Sequence, residues 1–327
     1  MIVFIFASQI TIAMTITQLQ YVLAVAEHKN FTLAAEKCFV TQPTLSMQIQ
    51  KVEEELKIQI FDRTKKPIQL TDIGQKIVNQ AKNIVNEADR MKDIVEQQKG
   101  FIGGEFRLAI IPTIMPTLLP MFLNTFIKKF PKVKLIIEEL NTDEIILKLK
   151  NGNLDAAIAA TPLSDEKLKE IVLYYEPFVA YIPEKHRIAD KKEIEVSDLN
   201  LDEILLLQDG HCFRDGILNL CKNQDVKSLN TFQIQSGSFE TLIKLADEGL
   251  GLTLLPYLHT LDLKENDKLK LKHFKDPKPA REISLIFPKT ELKIQIIDAL
   301  KQTISGVIRG AITFQNVEII SPIPKKQ

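Results

Sequence analysis

Three cysteines in 327 residues are too few, and odd in number, for a secreted fold braced by disulfides. A reducing, cytosolic compartment is expected, in which any disulfide is transient. Net charge is missing too: 42 basic residues balance 42 acidic ones, so a nucleic-acid-binding surface has to be local. No membrane partner is expected. Met1 to Ala13 is apolar and uncharged, but it lacks a positively charged start and is too short to span a bilayer. Since Met14 opens a more ordinary amphipathic stretch, residues 1–13 are expected to be a spurious or non-native extension, with a membrane-associating tail as the alternative. His28, His186, His259 and His273 do not cluster with cysteines or paired carboxylates at ligand spacing, and no Gly-rich phosphate loop occurs. Neither a metal nor a cofactor is therefore expected. What remains, 45% hydrophobic and 26% charged, is an ordinary globular chain long enough for two or three compact units.

From Thr17 to Thr71 the chain reads as short helices with a turn between two of them. Thr32 to Cys38 has the pattern of one helix, in which Ala34 and Ala35 allow close packing. Phe39-Val40 is the turn, and Thr41 is a candidate N-cap with Pro43 tolerated in the first turn behind it. That is helix-turn-helix spacing. In the second helix Leu45, Ile49, Val52 and Leu56 recur as a core stripe, which turns Pro43, Ser46, Met47 and Gln50 outward and sets Gln42 and Thr44 at the helix start. Small hydroxyls and amides on an outward face suit the major groove of DNA, where Gln pairs bidentately with adenine and Ser or Thr with several base edges. Beyond Phe61, Arg63, Lys65 and Lys66 precede Pro67 and a short alternating piece ending at Thr71, a two-stranded wing whose cations would grip phosphate or the minor groove. Charge adds little support, because residues 32–71 carry six basic and five acidic side chains.

The run Phe31 to Ile49 (FTLAAEKCFVTQPTLSMQI), with Glu53-Glu54-Glu55-Leu56, Ile60-Phe61-Asp62-Arg63-Thr64 and Leu70-Thr71-Asp72-Ile73-Gly74, resembles the winged helix-turn-helix of the LysR-type transcriptional regulators. The resemblance implies that Gln42, Pro43, Thr44, Ser46 and Arg63 lie at the DNA; Thr32, Gln50 and Lys65 join them in the expected interface with double-stranded promoter DNA. Cys38 stands where the family usually carries an apolar residue and reads as a small core hydrophobe.

Leu70, Ile77, Ile84 and Met91 fall seven apart, as do Gly74, Ala81, Ala88 and Val95, giving apolar a and d positions over about four heptads. Two such helices would form a seam, and a dimer suits an operator of two half-sites. The alternative is an amphipathic helix packed within one chain. Gly100 and Gly103-Gly104 then break the pattern. The expected boundaries are residues 14–71 for the winged helix-turn-helix, 72–103 for the linker and dimerisation helix, 104–310 for a regulatory domain, and 311–327 for a loosely packed tail without a motif.

After Gly104 strands and helices alternate: strand Phe106 to Ile110, helix Leu118 to Lys129, strand Lys134 to Glu138, helix Asp143 to Asn151, strand Ala156 to Ala160. This is an α/β pattern with parallel strands. Further strands at Phe178 to Ile182 and Ile204 to Leu207, and helices near Cys212 to Lys222 and Phe239 to Gly249, suggest a second lobe before the chain returns near Ile283 to Phe287. The family resemblance implies two Rossmann-like lobes of the periplasmic-binding-protein kind, so the whole reads as an α+β and α/β multidomain chain. Thr113 and Thr142 follow strands, where ligands meet loops in such folds, and each reads either as a helix N-cap or as a ligand-facing hydroxyl.

Within that lobe, Asp209-Gly210-His211-Cys212 and, nine positions on, Cys221 read as an attacking and a resolving thiol. Cys212 would sit near a helix N-terminus, whose dipole favours thiolate, with Arg214 and a protonated His211 adding positive charge. In one continuous helix the two sulfurs would lie about 13 Å apart along the axis, whereas a disulfide needs Cα atoms within roughly 7 Å. Oxidation would therefore force a change of shape. The plain alternative is two buried cysteines on a core helix.

Gly210-His211-Cys212-Phe213-Arg214-Asp215 with Cys221, Thr113, Thr142 and Thr253-Leu254-Leu255-Pro256 is similar to the OxyR-like, peroxide-sensing subgroup of the LysR family. The similarity implies a peroxidatic Cys212, a resolving Cys221, Thr113, Thr142 and His211 orienting peroxide or shielding the site, and Arg214 and Asp215 around the thiol. It implies hydrogen peroxide as the signal, a homodimer assembling to a homotetramer, RNA polymerase as a further partner and a cellular thiol system as reductant. A LysR-type regulator answering a small metabolite is the main alternative, and a thiol peroxidase a remote one.

Overall fold

The computed structural model describes residues 14–98, 102–221, 236–312 and 316–323. The chain divides into two compact units, residues 1–99 and 100–327.

In the first unit Thr15 caps α1 (Ile16–His28) through a reciprocal box with Gln18, and Asn30 accepts from the Thr32 and Leu33 amides to start α2 (Phe31–Lys37). Phe39 turns the chain at φ 56°, Thr41 caps α3 (Gln42–Leu56), and Leu45, Ile49 and Val52 are fully buried on the expected stripe. Burying each such side chain is worth about 1.5–3 kcal/mol. The wing forms as β1 (Phe61–Asp62) antiparallel to β2 (Gln69–Leu70). Thr71 then starts α4 (Asp72–Gln98), its Oγ1 accepting from the Gly74 amide and donating to the Gln59 carbonyl.

The buried face of α4 differs from the heptad pattern. Gly74, Val78, Ala81 and Val85 are buried, the last two against Leu19 of α1, while Ile84 and Met91 are exposed. Small residues at two of the expected seam positions thus serve packing inside the chain, because the α1 surface is nearer in sequence and apolar.

The second unit runs β3 (Gly104–Ile110), α5 (Met115–Lys129), β4 (Val133–Glu139), α6 (Thr142–Lys150), β5 (Ala156–Thr161), the long β6 (Leu168–Tyr181), β7 (Glu193–Ile194), α7 (Cys212–Leu220), α8 (Phe239–Asp247), β8 (Thr253–Pro256), α9 (Tyr257–Leu261), α10 (Glu265–Lys268), β9 (Leu271–Phe274), the long β10 (Lys278–Pro288), α11 (Ile294–Ile308) and β11 (Val317–Ile319). The strands connect in the order β4-β3-β5-β10-β6-β9-β7, with β8 pairing β6 and β11 pairing β10. β3, β4 and β5 are parallel, and β10 runs antiparallel to β5 and β6. β6 and β10 are long enough to serve both lobes: β6 pairs β10 from Leu168 to Pro177 and then β8 from Phe178. Two separate cores result. One gathers β3, β5, α5 and α11 around Phe106, Ile158, Phe122 and Leu300, the other gathers Phe178, Tyr181, Phe213, Leu242, Leu254 and Phe274.

Two expectations need correction. Ile204 to Leu207 is not a strand; it makes one parallel bridge, Ile204 to Leu252, where Gly251 at φ 147° lets the Glu203 carbonyl approach to within 2.4 Å of where a Cβ would stand. The tail is not loose throughout, since Val317–Ile319 adds a strand to Lys278–Ala280 of β10 and Ile320 packs on the second core. The short β-branched run Val317-Glu318-Ile319-Ile320, closed by Ser321-Pro322, carries this segment's strand signal.

Gly74 lies close against the chain just before β1, because a Cβ there would stand 2.0 Å from the Ile60 carbonyl oxygen. Gly74→Ala is expected to lower stability by about 1–3 kcal/mol, read as an earlier urea midpoint with weakened DNA binding. An unchanged midpoint would mean that α4 shifts freely away from Ile60.

Candidate functional site

Two surfaces carry chemistry. On α3, Gln42, Pro43, Thr44, Met47 and Gln50 are exposed and Ser46 is half-buried, as the stripe requires. Thr32 and Lys65 are exposed nearby on α2 and in the wing loop. Arg63 is held in place: its guanidinium pairs with Glu53 Oε2 at 2.9 Å, donates to Ser46 Oγ at 3.3 Å and lies 5.0 Å from the Phe31 ring centre. Glu53, which the sequence reading passed over, also accepts from the Ile60 and Phe61 amides through Oε1, so one carboxylate sets both the start of the wing and the direction of Arg63. Gln50 donates to Glu54 Oε1 at 2.9 Å. Cys38 closes α2, half-buried against the apolar core, and burial raises its thiol pKa.

The thiol site forms at the start of α7, for which His211 is the N-cap residue. Cys212 is 8% exposed and belongs to the first core, whereas Phe213, Ile217 and Cys221 belong to the second. The helix therefore crosses from one lobe to the other, with one sulfur in each core.

The electrostatics differ from the expectation. Burial raises the Cys212 thiol above its ordinary value; the Arg281 guanidinium, Thr142 and the Ala160 backbone oppose the rise, and Asp215 adds to it. Desolvation thus outweighs the cation and the hydrogen bonds that oppose it, and the pKa lies above the ordinary thiol value. His211 is 9% exposed and burial lowers its pKa, with Glu139 opposing, so its imidazole is neutral near pH 7 and supplies no charge. Arg214 is turned to the preceding loop, donating to the Leu207 carbonyl at 3.1 Å and pairing with Asp209 at 2.9 Å. Asp215, in the first turn of α7, has its carboxyl pKa raised by burial, with Arg214 opposing.

The cation that acts on the sulfur is Arg281 of β10, which the sequence reading missed. It is 3% exposed, donates to Glu176 Oε2 from Nε (3.0 Å) and Nη2 (2.8 Å), to Thr113 Oγ1 at 2.8 Å and to the Thr113 carbonyl at 3.3 Å, and its Cζ lies 5.0 Å from the Phe213 ring centre. Glu176 Oε1 accepts from the Leu258 amide. Glu176 just before the apolar end of β6 and Arg281 within β10 were the available signal, since charged residues are rarely buried unless paired.

Neither threonine is an N-cap. Asn141 caps α6 through a box with Glu144, and α5 starts at Ile114 without a side-chain cap. Thr113 is occupied by Arg281. Thr142 approaches the sulfur closely enough to oppose the rise in its pKa, yet its buried Oγ1 makes no hydrogen bond of ordinary geometry. A buried hydroxyl without a partner beside a thiol is a place for a small polar ligand. Among the described residues no group of three or more His, Cys, Asp or Glu could hold a metal ion, and no helix is long and apolar enough to cross a membrane.

Residues 16–75 match the bacterial regulatory helix-turn-helix of the lysR family, and residues 99–307 match the LysR substrate binding domain. The chain belongs to the LysR family of bacterial transcriptional regulators. Within that family its likeness is to OxyR proteins. The hydrogen peroxide-inducible genes activator of Pectobacterium carotovorum subsp. carotovorum is 33% identical over 297 residues, 90% of this chain and 98% of the relative. A full-length OxyR variant from Pseudomonas aeruginosa has a TM-score of 0.72 at 31% identity, covering 89% of this chain and 98% of that one. A peroxide-bound OxyR mutant from Corynebacterium glutamicum has a TM-score of 0.60 at 28% identity, covering 91% and 94%.

Removing one member of the buried pair separates its two effects. Arg281→Met is expected to slow peroxide reaction at Cys212 at least several-fold and, by leaving Glu176 buried and unpaired, to destabilise the chain by about 3–5 kcal/mol. Replacing both, Arg281→Met with Glu176→Leu, is expected to restore most of the stability and none of the reactivity, read by urea unfolding beside stopped-flow kinetics. Recovery of both would assign Arg281 a packing role only.

Proposed function

We propose that this regulator senses hydrogen peroxide at Cys212 and answers with a reversible Cys212–Cys221 disulfide. The carrying observation is the placement of Cys212: a thiol at the head of a helix that spans two cores, with Arg281 and the unpartnered Thr142 hydroxyl beside its sulfur. The similarity to proteins named for peroxide supports the same reading.

Peroxide bound against Thr142 presents its near oxygen to the Cys212 sulfur. The Cys212 thiol first loses its proton to solvent; as the thiolate sulfur forms the S–O bond the O–O bond breaks, and the departing hydroxide takes a proton from solvent and leaves as water, with Arg281 stabilising the negative charge that passes between them. His211 shields the site as a neutral donor or acceptor, Thr113 holds the Arg281 head, and Arg214 with Asp215 fixes the first turn of α7. The sulfenic acid at Cys212 then takes the Cys221 sulfur, expelling a second water and closing the disulfide. A cellular dithiol returns both cysteines to the reduced state.

Because α7 has to unwind for that bond, the regulatory unit changes shape and re-spaces its DNA-binding heads. The heads read promoter DNA through Thr32, Gln42, Pro43, Thr44, Ser46 and Gln50, with Arg63 and Lys65 on the backbone. The domain boundaries read from the sequence are kept as part of this proposal, with the linker helix pairing two chains through its exposed Ile84 and Met91 side, dimers assembling to tetramers, RNA polymerase as a further contact, and the cytoplasm as the working compartment.

Peptide mapping before and after one equivalent of hydrogen peroxide tests the reading, with a Cys212–Cys221 disulfide as the expected product. An unmodified Cys212 at that dose would sink the sensor and direct attention to a small-molecule inducer between the lobes. In a Cys221→Ser chain the reaction rate is expected to rise about tenfold per pH unit through neutrality, since the thiol pKa lies above its ordinary value and thiolate is scarce below it. A rate already flat at pH 6 would mean that the thiolate is the resting form. Lys65→Ala is expected to weaken DNA binding evenly across sequences and to reduce the salt slope by about one, measured by titration at several salt concentrations.

A further inference from the structure

Asn219 lies on α7 two residues before Cys221, and its Nδ2 donates to the carbonyls of Ser321 at 2.8 Å and Ile323 at 3.0 Å. Those carbonyls belong to the C-terminal segment, which is anchored independently of α7. β11 pairs with Lys278–Ala280 of β10, the Ile320 amide donates to the Ala280 carbonyl at 2.8 Å, Ile320 packs on the second core, and Pro322 is buried. One side-chain amide serving two carbonyls of a segment about a hundred residues away ties α7 to a fixed strand.

The tie is made where the helix has to yield. Cys221 closes α7 through its amide bond to the Ile217 carbonyl, and its sulfur is in the second core. Nine residues of helix rise about 13 Å, so Cys221 reaches Cys212 only if part of α7 unwinds, and unwinding from the Cys221 end takes Asn219 with it. Either Asn219 leaves the two carbonyls or the tail leaves β10.

We propose that Asn219 and residues 316–323 form a latch that holds α7 in its helical dithiol form and so sets how oxidising the surroundings have to be before the Cys212–Cys221 bond closes. The proposal rests on the thiol-switch reading above. In the step concerned the Cys212–OH bond breaks, the S–S bond forms, and the hydroxyl leaves as water with the Cys221 proton. Asn219 touches no reacting atom; it is a positioning residue that acts on the unwinding alone. Loss of two such hydrogen bonds corresponds to roughly a tenfold shift in the dithiol–disulfide equilibrium, about 30 mV for a two-electron couple.

The test uses the full chain, Asn219→Ala, a chain ending at Gln315, and the two changes combined, each equilibrated in glutathione buffers in which oxidised glutathione takes the two electrons. Either change alone is expected to favour the disulfide roughly tenfold, and both together by about the same factor, because they remove one interaction. The shift in Asn219→Ala runs against helix propensity, since Ala is the better helix former. The rate of sulfenic acid formation at Cys212, measured in a Cys221→Ser background, is expected to stay the same. A disulfide that forms in every chain with its equilibrium unmoved by Asn219→Ala, or effects that multiply in the double change, would overturn the latch and leave the switch standing. A native chain that forms no Cys212–Cys221 bond would overturn the switch and the latch with it. If the shortened chain does not fold, Asn219→Ala alone decides.

Discussion

The buried pair of Arg281 and Glu176 is the constraint on which the regulatory unit turns. The two residues face each other across β10 and β6, the strands that serve both lobes. Glu176 receives the Leu258 amide, and Arg281 reaches Thr113 at the head of the first lobe and the Phe213 ring in the second. Two charges taken out of water cost several kcal/mol each unless nearly every hydrogen-bonding position is filled. Here the hydrogen-bonding groups, Thr113 and the Leu258 amide, come from the first lobe, and the second lobe adds the Phe213 ring against the guanidinium. The cation that tunes the thiol is thereby also a fastening between the two cores.

That arrangement explains why Cys212 rests as a thiol. An exposed cysteine at a helix N-terminus beside an arginine would be a standing thiolate, open to any electrophile. Burial in the first core raises its pKa, and part of the charge on Arg281 is already engaged by Glu176. In the proposed reaction the sulfur would respond to a ligand small enough to reach Thr142 that brings both a hydroxyl partner and a leaving oxygen. Selectivity then rests on size and on polar satisfaction, and less on the intrinsic reactivity of the sulfur.

How much could be read in advance depends on whether a feature was local. The α3 stripe, the Thr41 cap, the wing and the head of α7 were legible because each is written in periodicity or capping within a dozen residues. Arg281 was not, since its meaning comes from Thr113, Glu176 and Phe213, which lie between 68 and 168 positions away in the chain and meet only through the sheet. Separation along the chain, 39 positions between Lys278 and Val317, likewise hid the docking of Val317–Ile319 on β10. Arg214 and His211 drew attention through adjacency to Cys212, yet a neighbour along a helix start need not be a neighbour in space. The heptad pattern on α4 was real as sequence, but Gly74 and Ala81 are claimed by contacts inside the chain.

Placing one cysteine in each core sets the energetics of the response. Closing the proposed Cys212–Cys221 bond would unwind part of α7 and disturb the packing of Cys221 and of Ile217, which is 1% exposed. Each buried apolar side chain released costs about 1.5–3 kcal/mol, so the oxidised form is strained relative to a disulfide formed in place. A disulfide that has to hold such a rearrangement has a higher, more oxidising potential than a structural one and is the more easily reduced. On the proposed switch, ready reversal would follow from the same feature that would force the shape change: two well-packed cores, each keeping its own sulfur, joined by a helix that could not satisfy both once the sulfurs bonded.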